Sequence, residues 1–540
     1  MTSDEGVPLT SSRPTLLHLV QRAAAEEPDR ELLVEISGSA RTYAEFDEET
    51  RRWADVLREL GVERGEHVAV MLPTSIAAYA VWLGVSWLHA TEVPINTAYR
   101  SRILSYVLNN CGARTVVIAE RYLSRIVDIT DELESAVNLV VVPDGTGGSG
   151  SPTELLSRFR VIWAEELLDR RRPPVDLEPP HTHELCCVMY TSGTTGPSKG
   201  VRMPWGALRA LADHAFPDAA DDGATLYTSF PTFHLSGKMF LYMAVQARGR
   251  LVVREVFDTH AFWDDIRRYD VTRTSLIGAM PNFILKQPER EDDSDTPLRE
   301  VNVVPLPANY KEFARRFGVR ICTAFAMTEA AMPLHAGWDP PNHRTCGRVV
   351  PGYEVRVVDD LDEDVGPGVQ GELIIRSDRP WELNLGYLGM DEATVKSWRN
   401  GWFHTGDAFV YDEEGWFYFI DRTKDAIRRR GENISSFEVE AEVLAHDDVA
   451  EVAAVAVPSD HGEDEIKIWV TCKPGRTLTP EVLLDFLIPR MARFMVPRYI
   501  EFVDELPKTP TAKVRKVELR ERGLTADTFD RERAGIVVPK

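Results

Sequence analysis

Apolar positions along this chain cluster in short runs separated by polar, helix-like stretches. "RTVVIA" (114–119), "NLVVV" (138–142), "LCCVMY" (185–190), "TLYTSF" (225–230) and "RICTAF" (320–325) read as strands, and segments such as "AFWDDIRRY" (261–269) read as helices between them. This alternation over roughly the first 330 residues predicts an α/β domain with largely parallel sheets. The most apolar stretch, "HVAVMLPTSIAAYAVWLGVSWLHA", predicts a strand over 67–72, a cap at Thr74/Ser75 and a buried helix to about Leu88. Pro73 splits it, and the uninterrupted remainder is too short to span a bilayer.

The pattern changes at about 345. "YEVRVVDD", "GELIIRS" and "GWFHTGDAFVYDEEGWFYFIDR" alternate strands with tight turns, which predicts an antiparallel, barrel-like section to about 420. After "DRTKD" (421–425) a compact α+β pattern begins: helix (436–446), strands (449–457 and 466–472), helix (480–492), strand (499–503). Ser435 and Glu438 have capping-box spacing before the first of these helices. The expected fold class is therefore α/β. A large N-terminal domain (1–423) has parallel-type sheets, helices and a small β-barrel-like section, and a small α+β domain (424–540) follows. The charged tail from 520 is expected to be mobile. "PDGTGGSGSP" (143–152) and "PEREDDSDTP" (288–297) read as surface loops.

Composition narrows the function classes. The chain has 540 residues, 44% hydrophobic and 27% charged, the balance of a globular protein with ample core. Its formal net charge of −23 argues against nucleic acid or anionic membrane as a main partner. The acidic, polar start "MTSDEGVPLTSSRP" lacks the features of a signal peptide, so the expected location is the cytoplasm. The six cysteines form no C-x-x-C pair and sit partly in apolar runs, as buried thiols in a reducing compartment do.

Candidate chemistry begins at "YTSGTTGPSKGV" (190–201). Glycines let backbone N–H groups face a concavity, the hydroxyls add donors, and Lys199 adds positive charge, which together make a nest suited to phosphate. Lys199 is followed by Gly200 rather than Ser or Thr, so this is not a Walker A loop. A Gly/Ser/Thr-rich loop alone is more often just a turn; the order of residues and the distant motifs make this one specific.

The loop resembles the phosphate loop of the adenylate-forming superfamily of acyl-CoA synthetases, adenylation domains and luciferases. Other motifs follow in that family's order: "PTFHLSG" (231–237), "AFAMTEA" (324–330), "GWFHTGD" (401–407), "IDRTKDAIRRRGENISSFEVE" (420–440) and "LPKTPTAKVRK" (506–516). The resemblance spans nearly the whole chain and is greatest to the crotonobetaine/carnitine-CoA ligase-like branch.

The resemblance implies an enzyme of the AMP-forming, acid–thiol ligase type. A carboxylate attacks the α-phosphate of ATP to give an acyl-adenylate and pyrophosphate, and CoA then displaces AMP to form a thioester. By this resemblance Thr191, Ser192, Gly193, Thr194, Thr195, Gly196 and Lys199 would cradle the β- and γ-phosphates. Glu329 would hold Mg²⁺, which favours oxygen ligands, and Thr328 would contact the α-phosphate. Phe325, where the family usually has Tyr, would stack on adenine. Asp407 and Arg422 would bind the ribose, although an isolated Asp in a turn more often serves the turn itself. Lys513 would carry adenylation by bridging the attacking carboxylate and the α-phosphate. Lys424 matches the hinge about which the mobile C-terminal domain rotates between half-reactions. Gly431, Glu432 and Asn433 would then line the pantetheine tunnel. Arg428, Arg429 and Arg430 either meet CoA phosphates or form a solvated charge run. His234 would sit at the acyl pocket, a satisfied core histidine being its bland alternative.

Some positions depart from the family pattern. Ala326 and Ala512 replace customary glycines, and "VVPLPANY" (303–310) replaces a Gly/Ala-rich turn, with Pro305 and Pro307 lacking N–H donors. Phe233, Met239, Met280, Phe283 and Met332 are candidates for an apolar or aromatic-accepting acyl pocket. No residue in it pairs with a quaternary ammonium, so carnitine is not assigned. The expected substrate is a small carboxylate or aromatic molecule. An alternative is an adenylating enzyme with another acceptor or oxyanion, such as carrier-protein loading or nitrite-activating diazotisation of an aryl amine. Because 27 residues follow Lys513, a carrier is expected to come from a separate chain.

Overall fold

The computed structural model describes residues 14–145, 157–168, 177–191, 198–217, 222–277, 280–422, 426–429, 432–459, 463–507, 514 and 516–539. Parallel strands dominate its first part, as the alternating pattern predicts. One sheet of seven strands runs in the spatial order Arg160–Trp163, Asn138–Val142, Thr115–Ala119, His67–Met71, Thr91–Pro94, Leu185–Thr191, Lys199–Pro204. Its pairs are parallel except the last, an antiparallel hairpin on the Leu185–Thr191 edge.

A second sheet has 14 strands. Its parallel half contains Glu31–Glu35, Arg250–Val253, Thr225–Thr228, Arg273–Ile277, Glu300–Val304 and Arg320–Met327. At Arg320–Met327 the chain turns back into Ala331–Trp338, and the sheet continues as antiparallel strands through Thr345–Val349, Phe417–Arg422, Trp402–Tyr411, Gly371–Ser377 and Tyr353–Val358. The antiparallel section is therefore continuous with the parallel half.

The most apolar stretch forms the strand His67–Met71 and the helix Ile76–Trp87. Ser75 is its N-cap, accepting from the Ala78 N–H at 3.3 Å. Nearly every side chain of this helix is buried, and Trp82 stacks on Trp205 with ring centroids 5.3 Å apart. Within this core Lys238 pairs with Glu92, both inaccessible to solvent, and the ammonium lies 4.0 Å from the Trp82 ring centroid. All six cysteines are free, and burial pushes the Cys111 and Cys346 thiols up to about 11.

The C-terminal part has a sheet of four strands, Val449–Pro458, Asp464–Cys472, Tyr499–Phe502 and Phe529–Asp530, beside the helices Ser436–Leu444 and Pro480–Leu487. Two expectations are corrected here. The helix predicted over 480–492 ends at Leu487, because Pro489 clashes with a continuing helical turn. The tail from 520 is not a loose extension: Phe529–Asp530 pairs with Tyr499–Phe502, Asp530 binds Arg498 at 3.1 Å, and Arg531 and Val538 are buried. The expected boundary at 423/424 lies outside the described residues.

Candidate active site

A cavity of about 1420 Å³ lies where the parallel strands of both sheets end. Thr191, Ile277, Val304 and Met327 line it from strand C-termini, and Thr74, Asn96 and Phe230 line it from the segments that follow their strands. Ligands of open α/β sheets bind at these ends.

On one side of the cavity, the hairpin register sets Lys199 opposite Thr191. The Lys199 ammonium lies 4.7 Å from the Tyr387 ring centroid, and the Tyr387 hydroxyl donates to Glu329 Oε1 at 3.3 Å. Lys199, Tyr387 and Glu329 thus form a short row of cation, phenol and carboxylate. Glu329 sits in the turn between the strands Arg320–Met327 and Ala331–Trp338. Its carbonyl accepts from the Asn384 backbone N–H at 3.0 Å and from Nδ2 at 2.8 Å. Ala331, which closes the turn, has a left-handed φ of 52°. The register shifts between Phe325 and Met327. Ala326, Met327, Thr328 and Glu329 line the cavity, whereas the half-buried Phe325 ring packs edge-on against Phe409, centroids 5.0 Å apart.

Elsewhere in the cavity wall, Asp407 and Arg422 occupy directly paired strand positions. Asp407 lies within the strand Trp402–Tyr411 rather than after a turn, and the strand segment before it is held by local bonds. Thr405 Oγ1 accepts from the Asp407 N–H at 3.0 Å and donates to the Leu373 carbonyl at 2.7 Å, and Glu372 Oε1 accepts from the Gly406 N–H at 2.9 Å. Gly406 has φ 72°, which glycine adopts without strain. Asp407 is buried and lines the cavity.

The third wall is apolar. His234 is the N-cap of the helix Leu235–Gln246 but makes no side-chain cap bond, so its ring is free to face the cavity. Gly237 lets this helix sit against the preceding turn: a Cβ there would lie 2.2 Å from the Pro231 carbonyl oxygen. His234 Nε2 is 3.0 Å from Glu432 Oε2, which arrives on the strand Glu432–Ser435. Burial alone would lower the His234 pKa, but the Glu432 charge and hydrogen bond outweigh it and hold the ring above its ordinary value. A second contact joins the same regions: Glu438, on the helix Ser436–Leu444, accepts from the Ser198 hydroxyl. Burial pushes the Glu438 carboxyl up to about 7, against the lowering effect of that bond.

A sequence model of the AMP-binding enzyme family matches residues 20–388, and one of its C-terminal domain matches 438–513. The chain belongs to the AMP-binding enzyme family. Crotonobetaine/carnitine–CoA ligases of Proteus mirabilis and Salmonella typhimurium are each 30% identical to it, over 89% of this chain and 93% of theirs. Its fold is similar to that of o-succinylbenzoate CoA synthetase from Bacillus subtilis (TM-score 0.78, 21% identity, 94% of this chain and 98% of that one). It is also similar to the amide bond synthetase McbA from Marinactinospora thermotolerans (TM-score 0.79, 23% identity, 94% and 99%).

The cavity of this AMP-binding enzyme brings together Thr191, Lys199, Thr328, Glu329, Asp407 and His234, which lie far apart in the chain. Ser192, Gly193, Thr194, Thr195, Gly196, Lys424, Gly431 and Lys513 lie outside the described residues, as do the side chains of Arg422 and Asn433. Two expectations fail. Phe283 does not line the cavity: the buried side of the helix Met280–Leu285 carries Pro281 and Ile284, and Phe283 is 40% exposed. Arg429 belongs neither to a phosphate site nor to a solvated run. It is buried, paired with Glu465 at 2.6 Å, and donates to the Phe494 and Val496 carbonyls. Tyr387, Ser198 and Glu438 are site residues that sequence reading missed. "GY" after an apolar segment has no signature of its own, and Ser198 and Glu438 meet only across 240 positions.

Proposed function

We propose that this member of the AMP-binding enzyme family is an ATP-dependent ligase that activates a carboxylic acid as its acyl-adenylate and transfers the acyl group to CoA. The observation that carries the reading is one cavity lined by Lys199, by Thr328 and Glu329, by Asp407 and by His234 with its apolar neighbours. In the first half-reaction a carboxylate oxygen of the substrate bonds to the α-phosphorus of ATP and pyrophosphate leaves. In the second the CoA sulfur bonds to the acyl carbon, AMP leaves and the thiol proton is released.

Positioning and charge neutralisation supply most of such catalysis. Lys199 and the hydroxyl- and glycine-rich loop would hold the departing phosphates. Asp407 would accept the ribose hydroxyls, with Arg422 beside it. Thr328 would face the α-phosphate. Lys513 would bridge the attacking carboxylate and the α-phosphate, and Lys424 would be the hinge. Glu329 fits a magnesium ion: a single carboxylate lining the cavity suits a cation that takes most of its oxygens from phosphates and water. Bound there, the ion would offset phosphate charge. Glu432 at His234 supports entry of the 431–436 segment beside the acyl site for the thiol step.

Among the described residues no helix is long and apolar enough to cross a membrane. Six free cysteines suit a reducing compartment, and we assign the reaction to the cytoplasm.

The test is a panel of carboxylic acids with ATP and magnesium, scored for AMP with and without CoA. Acid-dependent AMP and a CoA thioester are expected, with Lys513→Ala abolishing adenylate formation while ATP still binds. AMP formation with no thioester on any acid, but with nitrite and an aryl amine, would overturn the CoA reading.

A further inference from the structure

The acyl wall of the cavity is not uniformly apolar. Ser275 and Asn302 sit directly opposite each other on the parallel strands Arg273–Ile277 and Glu300–Val304. Paired residues of adjacent strands project to the same face, as do residues two apart along each strand. Ile277 and Val304, two positions on from this pair, also line the cavity. Ser275, Ile277, Asn302 and Val304 therefore form one patch of wall, with the polar pair roughly 7 Å further from the strand ends. Thr328 and Glu329 lie beyond a strand end, so the polar pair faces the far part of a bound acid rather than its carboxylate.

Ser275 is 9% exposed and Asn302 3% exposed. Asn302 Nδ2 donates to the Ala215 carbonyl at 2.9 Å, which fixes the orientation of the amide, because a flip would set two oxygens against each other. Asn302 Oδ1 then has no hydrogen-bond partner among the described residues, and neither has Ser275 Oγ. Buried polar atoms without partners are rare, because leaving them unmet is costly. Here two occur side by side, on a wall otherwise lined by residues such as Phe230, Ile277, Met280, Val304 and Met332.

We propose that Asn302 and Ser275 select a carboxylic acid whose apolar body carries a neutral hydrogen-bond donor, a hydroxyl or an aromatic amine, at its far end. Asn302 Oδ1 can only accept, so the ligand group must donate. Ser275 Oγ can donate back to a hydroxyl or accept a second N–H from an amine. The same acid without the donor would bury both protein atoms unmet, and such sites reject the lacking analogue far more strongly than an apolar pocket rejects a missing methylene. This inference rests on the adenylation reading above.

The experiment compares kcat/KM for AMP formation on matched acids: benzoate and cinnamate, their hydroxy and amino derivatives, and their methoxy derivatives as acceptor-only controls. For at least one position of substitution, the hydroxy or amino acid is expected to exceed both its parent and its methoxy analogue by about 100-fold. Asn302→Leu and Ser275→Ala should each lower kcat/KM for the donor-bearing acid by about tenfold or more, with activity on the parent acid unchanged or raised. Ser275→Ala should also leave the melting temperature unchanged or higher, since it removes an unmet buried hydroxyl. Parent, methoxy and donor-bearing acids all within threefold would refute the inference while leaving adenylation intact. So would substitutions that lower every acid equally, or a Ser275→Ala protein that melts several degrees lower. Absence of AMP with every acid would instead sink the adenylation reading.

Discussion

Glu432→Gln tests whether the contact with His234 serves the second half-reaction. The two groups are 3.0 Å apart, with 39% of the His234 side chain and 21% of the Glu432 side chain accessible. Unit charges 4 Å apart at an effective dielectric constant of 20 would attract by about 4 kcal/mol. Solvent at this exposure screens most of that, and exposed pairs are worth about 0.2–1 kcal/mol. Glutamine keeps the reach and a hydrogen-bond acceptor but loses the charge, so the expected loss is about 1 kcal/mol, or about fivefold. Acid-dependent ATP–pyrophosphate exchange should stay within about twofold of wild type. Single-turnover transfer of the acyl group to CoA should fall about fivefold.

The pH dependence sharpens the same test. Because His234 is held above its ordinary pKa, its contribution to the contact is fully present below about 6.5 and lost as pH rises through the raised value. In Glu432→Gln the opposing effect of burial is no longer outweighed. The ring should then titrate lower, as read from its NMR resonances, and the alkaline limb of the transfer step should move down with it. Equal losses in both half-reactions, or an unmoved His234 titration, would refute the reasoning.

Lys238→Met should destabilise the fold by about 3–5 kcal/mol in urea denaturation, because it leaves the Glu92 carboxyl buried without its ion partner. The double variant Lys238→Met/Glu92→Leu should recover most of that, and a single variant as stable as wild type would contradict the buried pair. For Glu438, a carboxyl raised to about 7 favours its docked position fully below about 4.3, and this contribution is lost as pH rises to about 7. Hydrogen exchange of the helix Ser436–Leu444 should therefore be faster at about pH 8 than at about pH 5, beyond the intrinsic effect of pH. Glu438→Gln should remove this excess, and its persistence in the variant would exclude Glu438 as the titrating group.

Much of this molecule was legible because its signals are local. Alternation of apolar runs with helical segments needs only a window of a dozen residues, and it located the strand His67–Met71, the Ser75 cap and the helix Ile76–Trp87 within a residue or two. The motif order likewise identified the family. The helix end at Leu487 was within reach of the same reasoning, since Pro489 is a local signal; the apolar "FLIPRM" around it masked the break. The packing of the tail was not local. It depends on Arg498 meeting Asp530 across a strand pair, and a charged segment looks the same whether its ions face water or each other.

The site divides along the same line. Thr328 and Glu329 share one turn, and Thr405, Gly406 and Asp407 are consecutive on one strand, so short motifs reveal them. Ser275 and Asn302 are 27 positions apart, and only the register of two parallel strands makes them neighbours. Either alone reads as an ordinary polar residue near the end of a buried strand. Their shared face, and the absence of a partner for either oxygen among the described residues, emerge only when the strands are set side by side. The nucleotide half of such a site repeats one chemistry for one ligand and condenses into short motifs. The acyl half must differ from one enzyme to the next, so its determinants lie on strands fixed by pairing and are written one residue at a time.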